Sequence, residues 1–169
     1  MGKITIKQGD ITEEVVDVIV NAANKRLAGG GGVDGAIHRA AGSSVMDECR
    51  EIGGCPTGEA VITNAGELKA KKIIYTPGPV WHGGKHKEAD LLKNCYKNCF
   101  ILAKENELKT IAFPAISTGI YGYPIEEAAK IAISEGLKVI DEFNEIVYVC
   151  FSEKDYEAYR SVYEGLKDT

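Results

Sequence analysis

Two glycine-containing segments hold the side chains with the clearest chemical potential. The first, residues 21–38, reads NAANKRLAGGGGVDGAIH and contains Asn24, Asp34 and His38 around four consecutive glycines. Without Cβ atoms, backbone N–H groups can approach an anion closely. The helical pattern that begins near Val33 adds its positive end. The second segment is Ser117-Thr118-Gly119-Ile120-Tyr121-Gly122-Tyr123-Pro124. Its hydroxyls, its glycines and a helix expected from about Pro124 make a second anion cradle. Two cradles suit a ligand with two linked phosphates. The alternative for the glycine run is a plain surface connection, but four glycines at a helix start are costly in chain entropy.

Other readings of these residues are weaker. No Gly-Lys-Ser/Thr follows either loop, so neither is a P-loop. Gly30, Gly32 and Gly35 spell G-x-G-x-x-G, yet the region about 20 residues on offers Asp47, Glu48 and Glu51 in a helical stretch, not an acid ending a strand. Asp34 beside an anionic ligand can serve as general base, or it can cap the helix that follows. His38, four residues on, shares its helical face and is read either as structural or as catalytic. His82 and His86 have i, i+4 spacing, but Gly83 and Gly84 between them argue against a metal-binding helix. Cys95 and Cys99 fall in an apolar helical stripe, where packing is their expected role.

Short β-branched runs must position these loops. They occur at Ile4-Thr5-Ile6, residues 15–20, Ala60-Val61-Ile62-Thr63, Ile73-Ile74-Tyr75, Ile111-Ala112-Phe113 and residues 146–151. Helical spacing appears at residues 33–41, 44–52, 88–107, 126–140 and 155–166. Alternation of the two predicts an α/β fold, a three-layer α/β/α sandwich around a central mixed or mostly parallel sheet. Ligands of such sheets sit beyond the carboxyl ends of the strands, where both glycine loops begin. With no repeat, low-complexity block or linker, residues 1–169 are read as a single domain.

Composition narrows the function classes. Twenty Lys and Arg against 25 Asp and Glu give a net charge of −5, so extended binding along a nucleic-acid backbone is not expected. Glycine is enriched, 19 of 169 residues or about 11% against an average near 7%. Five Cys without a C-x-x-C pair, and no leader, fit reduced thiols and a cytoplasmic location. The longest uncharged stretch, residues 110–125, is broken by Pro114, Gly119, Gly122 and Pro124, so no membrane span is expected.

Several motifs together carry a family resemblance: Gly9-Asp10-Ile11-Thr12, Val20-Asn21-Ala22-Ala23-Asn24, residues 29–42 (GGGGVDGAIHRAAG), residues 53–60 (GGCPTGEA) and residues 114–124 (PAISTGIYGYP). In this order the chain resembles macro domains, and is similar to the MacroD-type ADP-ribose hydrolases that include bacterial O-acetyl-ADP-ribose deacetylases. The resemblance runs from Lys3 to about Tyr159.

It implies that Asp10 accepts from the adenine amino group with the Ile11 backbone beside it, and that Phe151 packs on adenine. Without the family, Asp10 reads as a turn cap with Thr12 and Phe151 as core. The resemblance implies further that Gly32 and Val33 on one side, and Ser117, Thr118, Gly119, Ile120 and Tyr121 on the other, hold the diphosphate. Asn24 would bond a hydroxyl of the distal ribose, Asp34 would orient or activate the attacking water, and His38 would hold the loop or that water. Metal-dependent macro domains carry Cys and His inside the glycine loop. This loop has none, so no metal and no cofactor are expected.

Two departures stand out: Asn64-Ala65-Gly66-Glu67-Leu68-Lys69 where members usually show a Gly-Tyr pair and a Pro, and Pro77 before Gly78-Pro79. Both are expected to lie away from the site and to bear on substrate preference. The resulting expectation is a metal-independent hydrolase acting on O-acetyl-ADP-ribose or on mono-ADP-ribosylated acidic side chains of proteins. The alternatives are a non-catalytic ADP-ribose reader and an ADP-ribose phosphate phosphatase.

Overall fold

The apolar runs pair into one sheet in a computed structural model that describes residues 2–167. Its strands are β1 (Lys3–Gln8), β2 (Val18–Ala22), β3 (Val61–Asn64), β4 (Lys72–Thr76), β5 (Thr110–Phe113) and β6 (Glu145–Cys150), in the order β1-β6-β5-β2-β4-β3. Neighbours run parallel except β3, which is antiparallel to β4. The sheet is therefore mixed, as the alternating pattern predicts.

Five helices cover it: α1 (Gly32–Ala41), α2 (Ser43–Ile52), α3 (Glu88–Glu105), α4 (Ile125–Val139) and α5 (Glu153–Lys167). The period-2 alternation of strand side chains divides the core in two. Val18, Val20, Ile111 and Tyr148 face Leu92, Tyr96, Ala132 and Tyr159 of α3, α4 and α5. Ile19, Ile73, Ala112 and Val147 face Ile37, Val45 and Cys49 of α1 and α2. Each fully buried isoleucine, such as Ile73, Ile74 or Ile111, stabilises the fold by roughly 1.5–3 kcal/mol relative to exposure.

Element bounds differ from the sequence reading where side chains intervene. Val15, expected in a strand, is exposed, because β2 begins only where Val18 pairs with Lys72 and Ile111. Just before it, the Asp17 carboxylate accepts from the backbone N–H of Lys109 at 2.7 Å, tying the loop before β5 to the start of β2. Helix α5 begins two residues earlier than expected: the Ser152 hydroxyl accepts from Asp155 N at 3.1 Å and caps the turn. Phe151 falls outside β6.

The topology sets the site. All parallel strands end on the same edge, and β5 pairs directly with β2, so the two glycine loops leave neighbouring strand ends.

Candidate functional site

The first cradle is an uncapped helix start. Gly31 precedes α1 in extended backbone with no side-chain cap, which leaves the first-turn N–H groups of Gly32, Val33 and Asp34 available. Gly35 N is the first to be satisfied, by Gly31 O at 3.2 Å. Gly35 itself is obligatory, because a Cβ there would stand 2.4 Å from Gly30 O. The absent side chain lets the loop fold back onto its own helix.

Asn24 staples this loop. Its Nδ2 donates to Gly29 O at 2.8 Å, and its Oδ1 accepts from Arg26 N and Ala28 N at 3.1 and 3.2 Å. One amide hydrogen remains for a ligand. Asn24 and Asp34 flank Gly30: a Cβ on that glycine would lie 3.9 Å from Asn24 Nδ2 and 3.5 Å from Asp34 Oδ2.

Asp34 does not cap α1; it lies within the first turn, 7% exposed. Asn21, fully buried in β2, donates from Nδ2 to Asp34 Oδ1 at 2.8 Å, which leaves Oδ2 toward the glycine loop. His38 Nε2 approaches Asp34 Oδ1 to 3.2 Å without hydrogen-bond geometry, and neither imidazole nitrogen has a partner. The His38 ring rests against Tyr75, centroids 5.9 Å apart.

The second cradle stores backbone strain. Ser117, buried, has φ +67, a conformation costing about 1–3 kcal/mol in a non-glycine residue. Tyr123 N bonds Ser117 O at 2.9 Å, Gly122 N bonds Gly119 O at 3.0 Å, and Thr118 Oγ1 donates to Ala115 O at 3.0 Å. The N–H groups of Thr118, Gly119, Ile120 and Tyr121 donate to nothing among the described residues. Ser117 Oγ is buried and unpartnered, and Ile120 is fully exposed. Free donors around a tight turn form an anion nest.

Here one sequence expectation is corrected. Pro77-Gly78-Pro79 is not remote from the site: β4 lies beside β2, so its exit loop abuts the second cradle. A Cβ on Gly78 would stand 2.2 Å from Ser117 Oγ, and Trp81 N donates to Tyr121 O at 2.8 Å. The other departure does lie at the opposite end of α1, where Glu67 N bonds Ala41 O at 2.9 Å.

At the other end of the strand edge, β1 and β6 pair with Gln8 opposite Cys150, which sets Asp10 and Phe151 on neighbouring exits. Asp10 Oδ1 accepts from Thr12 N at 2.9 Å and Thr12 Oγ1 at 2.7 Å, so the turn-cap reading is realised. Its second carboxylate oxygen accepts nothing among the described residues. Ile11 is buried beside it. Phe151 is 82% exposed, so it is not a core residue.

Sequence reasoning missed Asn21, Gly78 and Glu88. Asn21 had a signal, a lone amide inside the apolar run of β2. Glu88, almost fully buried, accepts from the backbone N–H groups of His82, Gly84 and His86 at 2.8, 3.0 and 2.6 Å. Burial alone would raise its carboxyl, but these donors hold it down to about 2. Among the described residues, no group of three or more His, Cys, Asp or Glu could hold a metal ion.

The sequence profile described as "Macro domain" matches residues 20–132, which include both cradles. The chain belongs to the macro domain family. It is 56% identical over 156 residues to a macro domain-containing protein of Chlorobaculum tepidum, covering 90% of this chain and 91% of that protein. It is 52% identical over 164 residues to an O-acetyl-ADP-ribose deacetylase of Salmonella newport, covering 93% and 92%. Among solved structures, a mutant Oceanobacillus iheyensis macrodomain with ADPR superposes with a TM-score of 0.92 at 44% identity, over 97% of this chain and 93% of that one. The macro domain fold thus accounts for the mixed six-stranded sheet and its five helices among the described residues.

Proposed function

We propose that this macro domain binds ADP-ribose across its strand ends and hydrolyses the ester joining ADP-ribose to an acetyl group or to an acidic protein side chain. The observation that carries the reading is Asp34: a buried carboxylate, held by Asn21 at 2.8 Å, at the mouth of an uncapped helix N-terminus. The names of similar proteins, O-acetyl-ADP-ribose deacetylase and a macrodomain with ADPR, support the substrate.

The order of strands supports a layout for the ligand. Adenine lies at the β1 and β6 exits, against Phe151, with Asp10 accepting from its amino group beside the Ile11 backbone. The diphosphate spans Gly32 and Val33 on one side and Ser117, Thr118, Gly119, Ile120 and Tyr121 on the other. Backbone donors explain how a chain of net charge −5 holds a dianion. The distal ribose sits between Asn24 and Asp34. From β1 to β2 there are three strand spacings of about 4.8 Å, roughly 14 Å in all, a span that suits an extended dinucleotide-like ligand.

In the reaction, a water oriented or activated by Asp34 adds to the acyl carbon. The ribose oxygen leaves, giving ADP-ribose and the free carboxylic acid. His38, packed against Tyr75 and close to Asp34, holds the loop or that water. One macro domain over residues 1–169, mono-ADP-ribosylated proteins as partners and a cytoplasmic setting complete the reading. Five free, buried cysteines support the last of these.

The test is calorimetric titration with ADP-ribose alongside hydrolysis of O-acetyl-ADP-ribose, both in chelator. Binding and turnover are expected. Binding without turnover points instead to a reader, and release of phosphate from ADP-ribose phosphate alone points to a phosphatase. Absence of both binding and turnover contradicts the assignment of the loops.

A further inference from the structure

A cavity of about 250 Å³ opens next to the second cradle, walled by Lys25, Gly78, His82, His86 and Tyr121. It lies between the loop leaving β2, the loop leaving β4 and the tip of the β5 loop. Along the strand edge β4 comes directly after β2. In the proposed layout, this is the side beyond the distal ribose, where the acyl group and whatever carries it project.

Apolar side chains of Pro77, Pro79, Val80 and Leu91 share the walls with one cation, Lys25, and with two imidazoles. Lys25 brings an ammonium group. The His82 and His86 rings stand edge to face with centroids 5.8 Å apart and present ring N–H donors. Arg26, Lys85 and Lys87 are exposed on the same two loops. The one carboxylate lining the cavity, Glu88, has both oxygens engaged by the backbone N–H groups of His82, Gly84 and His86. It serves the loop, and its charge is partly offset by these donors and by the basic side chains around the cavity. The loop is also tied down by Trp81, whose N–H bonds Tyr121 O and whose ring packs on Tyr123 with centroids 4.7 Å apart. A pinned cavity that offers the Lys25 ammonium and imidazole N–H donors, on loops that also carry Arg26, Lys85 and Lys87, suits a carboxylate. A neutral acetyl group makes no use of such walls.

We propose that this cavity is a subsite for a carboxylate neighbouring the modified residue, and hence that the substrate class is an acidic peptide segment carrying ADP-ribose. The inference rests on the ester-hydrolase reading above and deepens it.

The experiment compares three substrates: O-acetyl-ADP-ribose, a peptide with one ADP-ribosylated glutamate flanked by Glu, and the same peptide flanked by Gln. At low salt the full chain is expected to favour the Glu-flanked peptide by about fivefold in kcat/KM, mainly through KM. The preference should shrink as salt is added. It should vanish in Lys25→Gln and in the His82→Gln/His86→Gln pair, with O-acetyl-ADP-ribose turnover unchanged in each. The two variants are made separately, so that misfolding of one leaves the other to decide.

Equal rates on the two peptides, or a preference surviving both variants, would overturn the subsite. So would a larger gain for ADP-ribose phosphate, assayed beside the three, that is lost in the same variants, since the cavity would then belong to phosphate. A wild-type protein inactive on all three substrates overturns the parent reading instead.

Discussion

Phe151 and Asn21 show how single residues divide the labour of the site. An aromatic ring 82% exposed at the end of a buried strand lacks the burial that normally keeps Phe inside, and the proposed adenine on its face would restore it. Base–aromatic stacking is worth about 1–3 kcal/mol. Phe151→Ala should therefore weaken ADP-ribose binding roughly 5- to 150-fold with the melting temperature nearly unchanged. Calorimetric titration checks this, and unchanged affinity would remove the ring from the adenine site. Asn21 works out of sight, bonding Asp34 from within the sheet. The glycine run was legible from local residue types and spacing, whereas the roles proposed for Asn24 and Asp34 came from the family resemblance. Asn21 was harder to read, since its partner lies 13 residues away across a loop whose path only the fold determines.

Among the elements, the loop between β4 and α3 owes its shape to one buried carboxylate. The folded Glu88 carboxyl lies at about 2 against an ordinary 4.5. A depressed folded pKa means the group stabilises the loop above the unfolded value. That contribution is lost as pH falls from about 4.5 through about 2. The backbone amide resonances of His82, Gly84 and His86 should follow this acid titration, and Glu88→Gln should shift all three at neutral pH. Amides that stay unmoved in the variant would contradict the account.

This loop was also the least legible part of the site. The expectation that Pro77 and Gly78 lie far from it failed because β4 and β2 pair across the sheet, a contact that no local pattern encodes. The strands and helices themselves were readable from periodicity. Their bounds moved by one or two residues at most elements, and the shifts at β2 and α5 fall where Asp17 and Ser152 bond the backbone.

For the molecule as a whole, burial extends to every thiol. Cys49, Cys55, Cys95, Cys99 and Cys150 are buried and free. Burial pushes Cys55 and Cys95 up to about 11 and Cys150 up to about 12. These raised values mean the thiols add stability below the unfolded value near 9, lost as pH rises through about 11 to 12. A thiol reagent at neutral pH should label almost nothing in the native protein and all five cysteines in denaturant. Rapid native labelling would contradict the packing described.

In the proposed reading the ligand lies along the edge of the sheet, and Asp34 is the point where binding becomes chemistry. The most direct test is single-turnover hydrolysis of O-acetyl-ADP-ribose by wild type and Asp34→Ala, with ADP-ribose affinity measured on the same samples. The account predicts a rate loss of at least about 100-fold, in the range general-base catalysis contributes, with affinity retained. Undiminished turnover in the variant, or an equal loss of rate and affinity, would contradict it.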